Sequence, residues 1–192
     1  MIPVLPTITE PTGLDRALAP LLDAIGTVPW IQFAAGKATP TYRQKKNGGT
    51  WIDACVFDGN RGDMISVLPN DQYGAGFSFI DAPKGEEVTE RAGGPARVKV
   101  DLGVVVFLNL ADAYTDYTDG RTVEHAKTDI VSAIDQARRG ASTWRVLKIT
   151  DRLRDVYLGY EFDRVQAHLL NRPFAAFRVD LQLMFDHINQ CP

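Results

Sequence analysis

RVKVDLGVVVFLNL, residues 97–110, is the stretch whose reading decides the fold. Val98, Val100, Leu102, Val104, Val106, Leu108 and Leu110 alternate strictly, which puts them on one face of a β-strand, and Val105 and Phe107 make the second half apolar on the other face too. A strand buried on one side at its start and on both at its end belongs in the middle of a sheet, with a helix or a second layer across it. The loop that follows, Ala113 to Gly120, is acidic and tyrosine-rich. Thr122 then caps an amphipathic helix whose apolar positions are Val123, Ala126, Ile130, Ala133, Ile134 and Ala137. Arg138 and Arg139 suit its carboxyl end and Gly140 its stop. Trp144, Val146 and Ile149 begin a further strand.

Upstream, residues 1–11 contain three prolines and little periodicity, the composition of an extended arm. Thr12 caps a first helix whose stripe is Leu14, Leu18, Leu21, Leu22 and Ile25, ended by Gly26. Pro20 inside it should kink the helix or split it into two short turns. From Trp30 to Ala82 the grammar changes to short β-runs: Trp30–Ala34, Tyr42–Lys46, Thr50–Phe57, Met64–Leu68 and Gly76–Ile80. Asn47-Gly48-Gly49 between the second and third reads as a hairpin turn, because asparagine and glycine tolerate positive φ. Asp81 to Pro95 reads as a long exposed loop, and because loops of this length are uncommon unless they serve a function it is a candidate for contact with another chain. Downstream, Val156–Phe162 and Phe174–Phe185 supply two more strands. The last turns Phe177, Val179, Leu181, Leu183 and Phe185 inward, and Arg178, Asp180, Gln182 and Met184 outward.

The expected architecture is α+β: a mostly antiparallel sheet of five or more strands with two helices packed on one face and projecting hairpins and loops. A single domain spans residues 1–192, with 1–11 as an arm and 82–95 as the exposed loop. Helices and strands do not alternate as a doubly wound parallel sheet requires. The 192 residues are 45% hydrophobic, enough for one well-buried core.

Charge narrows the function. Lys and Arg number 21 against 24 Asp and Glu, a formal net charge of -3 with no long block of either sign, which gives no footprint for sequence-specific nucleic acid or an anionic membrane. The one basic cluster, Arg43, Lys45 and Lys46, reads as a solvated hairpin tip. Neither a signal peptide nor an apolar run of membrane-spanning length is visible, so a soluble protein made in the cytoplasm is expected. Cys55 and Cys191 read as free thiols, since a structural zinc site wants four close ligands.

Searches for site chemistry largely fail. Gly36-Lys37 lacks the spacing of a phosphate loop, and Gly74-Ala75-Gly76 lacks the rest of a dinucleotide fingerprint. His125, His168 and His187 come from separate elements, and Glu124-His125 is only half a zincin motif because Asp129 stands where its second histidine would be. Ser66, Ser78, Ser132 and Ser142 sit in no nucleophile elbow, and Cys55 has no neighbouring base. Asp112, Asp116 and Asp119 lack the full ligand set of a calcium loop. No catalytic residue, metal or cofactor is therefore expected. Tyrosines contribute contact area at little entropic cost, so Tyr114 and Tyr117, with Asp116 and Asp119 between and after them, are read as a contact loop for another subunit. Tyr42, Lys45 and Lys46 on the hairpin are read the same way.

The order of an N-terminal amphipathic helix, a projecting hairpin, the strand ending Gly103-Val104-Val105-Val106-Phe107-Leu108, the helix Thr122–Arg139 and a closing strand around Phe177-Arg178-Val179-Asp180-Leu181 resembles the small ring-forming proteins of tailed bacteriophages. The tail terminator and tail-completion group at the head-to-tail junction is most similar. The resemblance is one of pattern without a diagnostic signature, and this chain carries extra hairpin material between residues 36 and 95. It implies a structural virion protein without catalysis. That protein would be a homo-oligomeric ring, commonly a hexamer, touching other neck or tail-tube proteins. The alternative reading is a small enzyme or ligand-binding domain, with a pocket under the 81–95 loop and polar groups from Asp63, Arg91 and His168.

Overall fold

The structure, a computed structural model, describes residues 12–44, 48–57, 64–69, 75–82, 85–89, 96–115, 121–137, 143–162 and 165–186. The expected strand forms as β7, Arg97–Asn109, flanked in chain order by β1 (Phe33–Lys37), β2 (Thr39–Gln44), β3 (Thr50–Phe57), β4 (Met64–Ser66), β5 (Gly76–Asp81), β6 (Glu87–Thr89), β8 (Thr143–Thr150) and β9 (Phe174–Asp186). The helices are α1 (Gly13–Gly26), α2 (Leu110–Ala113), α3 (Arg121–Ala137) and α4 (Leu153–Val156), with a 3-10 turn at Ala167–Leu170. The fold is α+β, as the sequence implies. Its main sheet runs β1-β5-β7-β9-β8, with β6 joined to the start of β7, and a second sheet runs β2-β3-β4. Among the described residues only the pairing of β1 with β5 is parallel.

β7 lies between β5 and β9, and its two faces feed two cores. On one face Val98, Val100, Leu102, Val104, Val106 and Leu108 join Phe177, Val179, Leu181 and Leu183 of β9 beneath α1 and α3. Leu14, Leu18, Leu21 and Ile25 of α1 and Ala126, Ile130 and Ile134 of α3 close that core. On the other face Val105 and Phe107 meet Phe77, Phe79 and Ala176, covered by Ala54 and Val56 of β3 and by Val156, Tyr157, Tyr160 and Leu169. The second layer covers one end of this face. Towards the other end, Lys99, Asp101, Asp180, Gln182 and Met184 are only half-buried.

Several expectations are corrected. The first strand is Phe33–Lys37 rather than Trp30–Ala34. Residues 82–95 are not one continuous loop: Glu87–Thr89 form β6, paired antiparallel with Arg97–Lys99. Val156–Phe162 is no strand. Leu153–Val156 make a helical turn, and Tyr157 and Tyr160 enter the second core from it. Helix α1 runs unbroken through Pro20, because the proline sits on the solvent face, where the Arg16 carbonyl that loses its amide partner can meet water. Thr12 is its N-cap by position, without a side-chain cap bond. Thr122 lies buried within α3 rather than ahead of it. The N-terminal arm, Gly140 and residues 116–120 of the Ala113–Gly120 loop lie outside the described residues.

Candidate functional site

The hairpin β2–β3 forms where Asn47-Gly48-Gly49 predicts it, and Gly48 adopts φ 88°, a left-handed value that glycine meets without strain. Tyr42, opposite Ile52, stands 74% exposed on one face of this ribbon. Its other face is organised by a buried carboxylate. Asp53 accepts a hydrogen bond from Ser66 Oγ at 2.8 Å, and its second oxygen lies 2.9 Å from Arg43 Nε, near enough for charge pairing although the angle is poor for a hydrogen bond. Arg43 Nη2 donates to the Met64 carbonyl at 2.9 Å and to Cys55 Sγ at 3.4 Å, which joins all three strands of the small sheet. Burial pushes the Cys55 thiol up, and Arg43 only partly opposes this. The thiol therefore stays protonated near neutral pH, unlike a nucleophilic cysteine.

Of the expected contact residues, Tyr42 is exposed as a contact would require. Lys45 and Lys46, at the hairpin tip, lie outside the described residues, as do Asp116, Tyr117 and Asp119. Tyr114 corrects the expectation of an exposed loop tyrosine. It is half-buried, its hydroxyl donates to Asp129 Oδ2 at 2.7 Å, and the same oxygen accepts from Trp30 Nε1 at 3.0 Å. Tyr114 thus ties the end of α2 to α3 and to the segment between α1 and β1. Burial, then the Asp129 hydrogen bond, raise its phenol above the ordinary value. Asp112 accepts from Asn109 Nδ2 at 2.7 Å, the turn-forming role expected of it.

The polar group that the sequence reading missed lies between the layers. Arg178 is buried, its Nη1 donates to Asp81 Oδ2, and its Nε donates to Asp180 Oδ1 at 2.6 Å. Tyr160 OH donates to the other Asp81 oxygen at 2.9 Å, so one carboxylate joins β5, β9 and the segment after α4. The guanidinium lies across Gly103, where a Cβ would overlap it. Burial works against the charge on Arg178, but Asp180 and Asp81 outweigh it and raise its pKa. Asp81 in an apolar run was the available signal.

A shallow groove of about 500 Å³ runs between α3 and the end of β8, past Thr128, Val131, Ser132 and Ile149. Its cation, Lys127, donates to Glu124 at 2.6 Å and Asp151 at 3.0 Å. Among the described residues no group of three His, Cys, Asp or Glu is arranged to hold a metal, and no helix is long and apolar enough to cross a membrane. Asp63 and Arg91 of the alternative pocket lie outside the described residues, and His168 packs edge-on against Phe174. Compared with known proteins, the chain matches no family model and no curated protein.

Proposed function

We propose that this chain is a structural virion protein that forms an oligomeric ring, a hexamer in the simplest case, at the head-to-tail junction of a tailed bacteriophage. It would act there as a tail terminator, tail-completion or neck protein, with other neck or tail-tube proteins above and below and no reaction of its own. The observation that carries this reading is the projecting hairpin β2–β3. It holds Tyr42 in solvent on a ribbon stiffened from behind by Arg43 and Asp53. An aromatic side chain on a rigid support is the kind of anchor that contributes most in protein interfaces.

The test is the mass of the purified chain in solution, alone and mixed with tail-tube protein, followed by electron microscopy of any assembly. A closed ring is expected, and Tyr42→Ala should weaken assembly while leaving the melting temperature of the subunit unchanged. A chain that stays monomeric under both conditions and binds a metabolite overturns the reading.

A further inference from the structure

We propose that Tyr42 of one copy seats in the groove between α3 and β8 of the next, so that copies join head to tail through the ribbon of one and the sheet edge of its neighbour. This rests on the ring reading above and names what the ribbon grips. β1 and β8 are the outer strands of the order β1-β5-β7-β9-β8, and the two halves of the contact belong to these opposite edges. The ribbon begins where the chain leaves β1: Lys37 ends that strand and, after Ala38, Thr39 opens β2. The groove is floored by Ile149, near the end of β8. Lys37 pairs with Ile80, Ile80 with Val104, Val104 with Val179 and Val179 with Ile149, so root and floor lie in one row, at the same height of the sheet. Tyr42 is five residues past the root, a reach of up to about 17 Å. A second copy set beside the first therefore brings the root of its ribbon level with the groove.

Surface chemistry agrees with this seating. Tyr42 is 74% exposed, with exposed Pro40 and half-buried Ile52 beside it on the same face of the ribbon. The groove has an apolar floor in Val131 and Ile149, the latter 39% exposed, and is rimmed by Glu124, Lys127, Ser132 and Asp151. An apolar hollow with polar groups on its rim suits a phenol, whose ring takes the floor while its hydroxyl donates to a carboxylate. The chain makes the same pairing within itself, Tyr114 with Asp129 and Tyr160 with Asp81. Charges are complementary too. The sequence from Thr39 to Ile52 carries Arg43, Lys45 and Lys46 and no acid. The rim has two carboxylates to one ammonium, since Lys127 lies between Glu124 and Asp151. The cations of β8 turn the other way: Arg145 pairs with Gln182 and Lys148 with Asp180 on the face away from α3, whereas Ile149 pairs with Val179 on the helix side. Tyr42 and the groove are different surfaces, so the contact is directional, and such contacts close into rings or extend into filaments.

Variants of the full-length chain test the contact, read as association by analytical ultracentrifugation with circular dichroism as the fold control. Tyr42→Ala removes the ring and keeps the groove. Ser132→Trp, at an exposed position, fills the groove and keeps the ring, and Thr128→Trp does the same from one turn earlier. Each should associate at least about tenfold more weakly, as loss of an aromatic anchor does. Tyr42→Ala and Ser132→Trp in one chain should cost no more than the worse of the two alone, because both act on one contact. An equimolar mixture of the two single variants should stop at a pair. The ribbon of the Ser132→Trp chain enters the groove of the Tyr42→Ala chain, and the ends left over have neither a ring nor an open groove. Folded groove variants that associate as tightly as the unaltered chain overturn this contact and leave the ring reading standing. So do groove variants that lose only their association with tail-tube protein, which would then be the occupant. An unaltered chain that goes no further than a dimer at any concentration, alone and with tail-tube protein, overturns both.

Discussion

Arg178 occupies a position that the alternation of β9 assigns to the outer face, and the structure puts it there, yet buried. Alternation tells which side of a sheet a residue takes. It does not tell what lies across from it. Asp81 was the missing half of the argument, since it was read as the first residue of a loop and is instead the last of β5, 3% exposed. Removing one partner of a buried ion pair leaves an uncompensated charge, so Asp81→Asn should destabilise the fold by about 3 kcal/mol, the lower end of the usual range because Asp180 still holds Arg178. Chemical denaturation would measure it. Replacing Asp81 and Arg178 together with leucine and methionine should recover most of that loss, and failure to recover would show that the pair contributes more than charge balance. Tyr114 teaches the same lesson: an aromatic residue in an acidic loop looks like a contact until Asp129 and Trp30 are seen beside it.

At the scale of elements, β7, α3 and the β2–β3 hairpin were legible because each carries an unambiguous period or turn signal. Residues 153–162 were not. Val156, Tyr157, Leu158, Tyr160 and Phe162 have the composition of a strand, but Tyr157 and Tyr160 are drawn into the second core, and Gly159 turns the chain at φ 90°. Tertiary burial overrode β-propensity, which measures fit to a half-buried surface more than a backbone preference. β6 escaped notice because three residues hold too little pattern. Pro20 misled in the other direction, since the cost of an interior proline falls when the freed carbonyl is solvated. Pro20→Ala restores the missing amide on that exposed face and should raise stability by about 1–3 kcal/mol. A thermal melt that does not rise would mean that the first turns of α1 are held by packing alone.

Considered whole, the molecule is one six-stranded sheet with α1 and α3 on one side and a smaller sheet with α4 on part of the other, and the sequence foresaw the first half of that sentence better than the second. The helix side has heptad-like stripes. The second layer is assembled from short runs whose partners lie far apart in the chain, as Tyr160 does from Asp81. That layer sets how the protein responds to alkali. Burial raises the phenols of Tyr157 and Tyr160, and of the half-buried Tyr114, above the ordinary value of 10.0. Above pH 10 the unfolded chain releases these protons and the native one keeps them, so stability is intact below that pH and falls as pH rises beyond it. The slope reaches up to about 1.4 kcal/mol per pH unit for each fully buried phenol and less for Tyr114. Absorbance at 295 nm should show at least three of the six tyrosines ionising only as the protein unfolds. Six phenols titrating together near pH 10 in a folded protein would contradict the packing of the second layer.

The ladder between β7 and β9 holds thirteen consecutive residue pairs, one for every residue of each strand. Its length, about 43 Å at the usual rise per residue, is the full height of the sheet. A load applied along those strands meets all thirteen pairs in shear and must break them together, whereas a load across them would peel the pairs one by one. The subunit is therefore stiff along one axis and yields most readily at right angles to it, in the direction of its short edge strands.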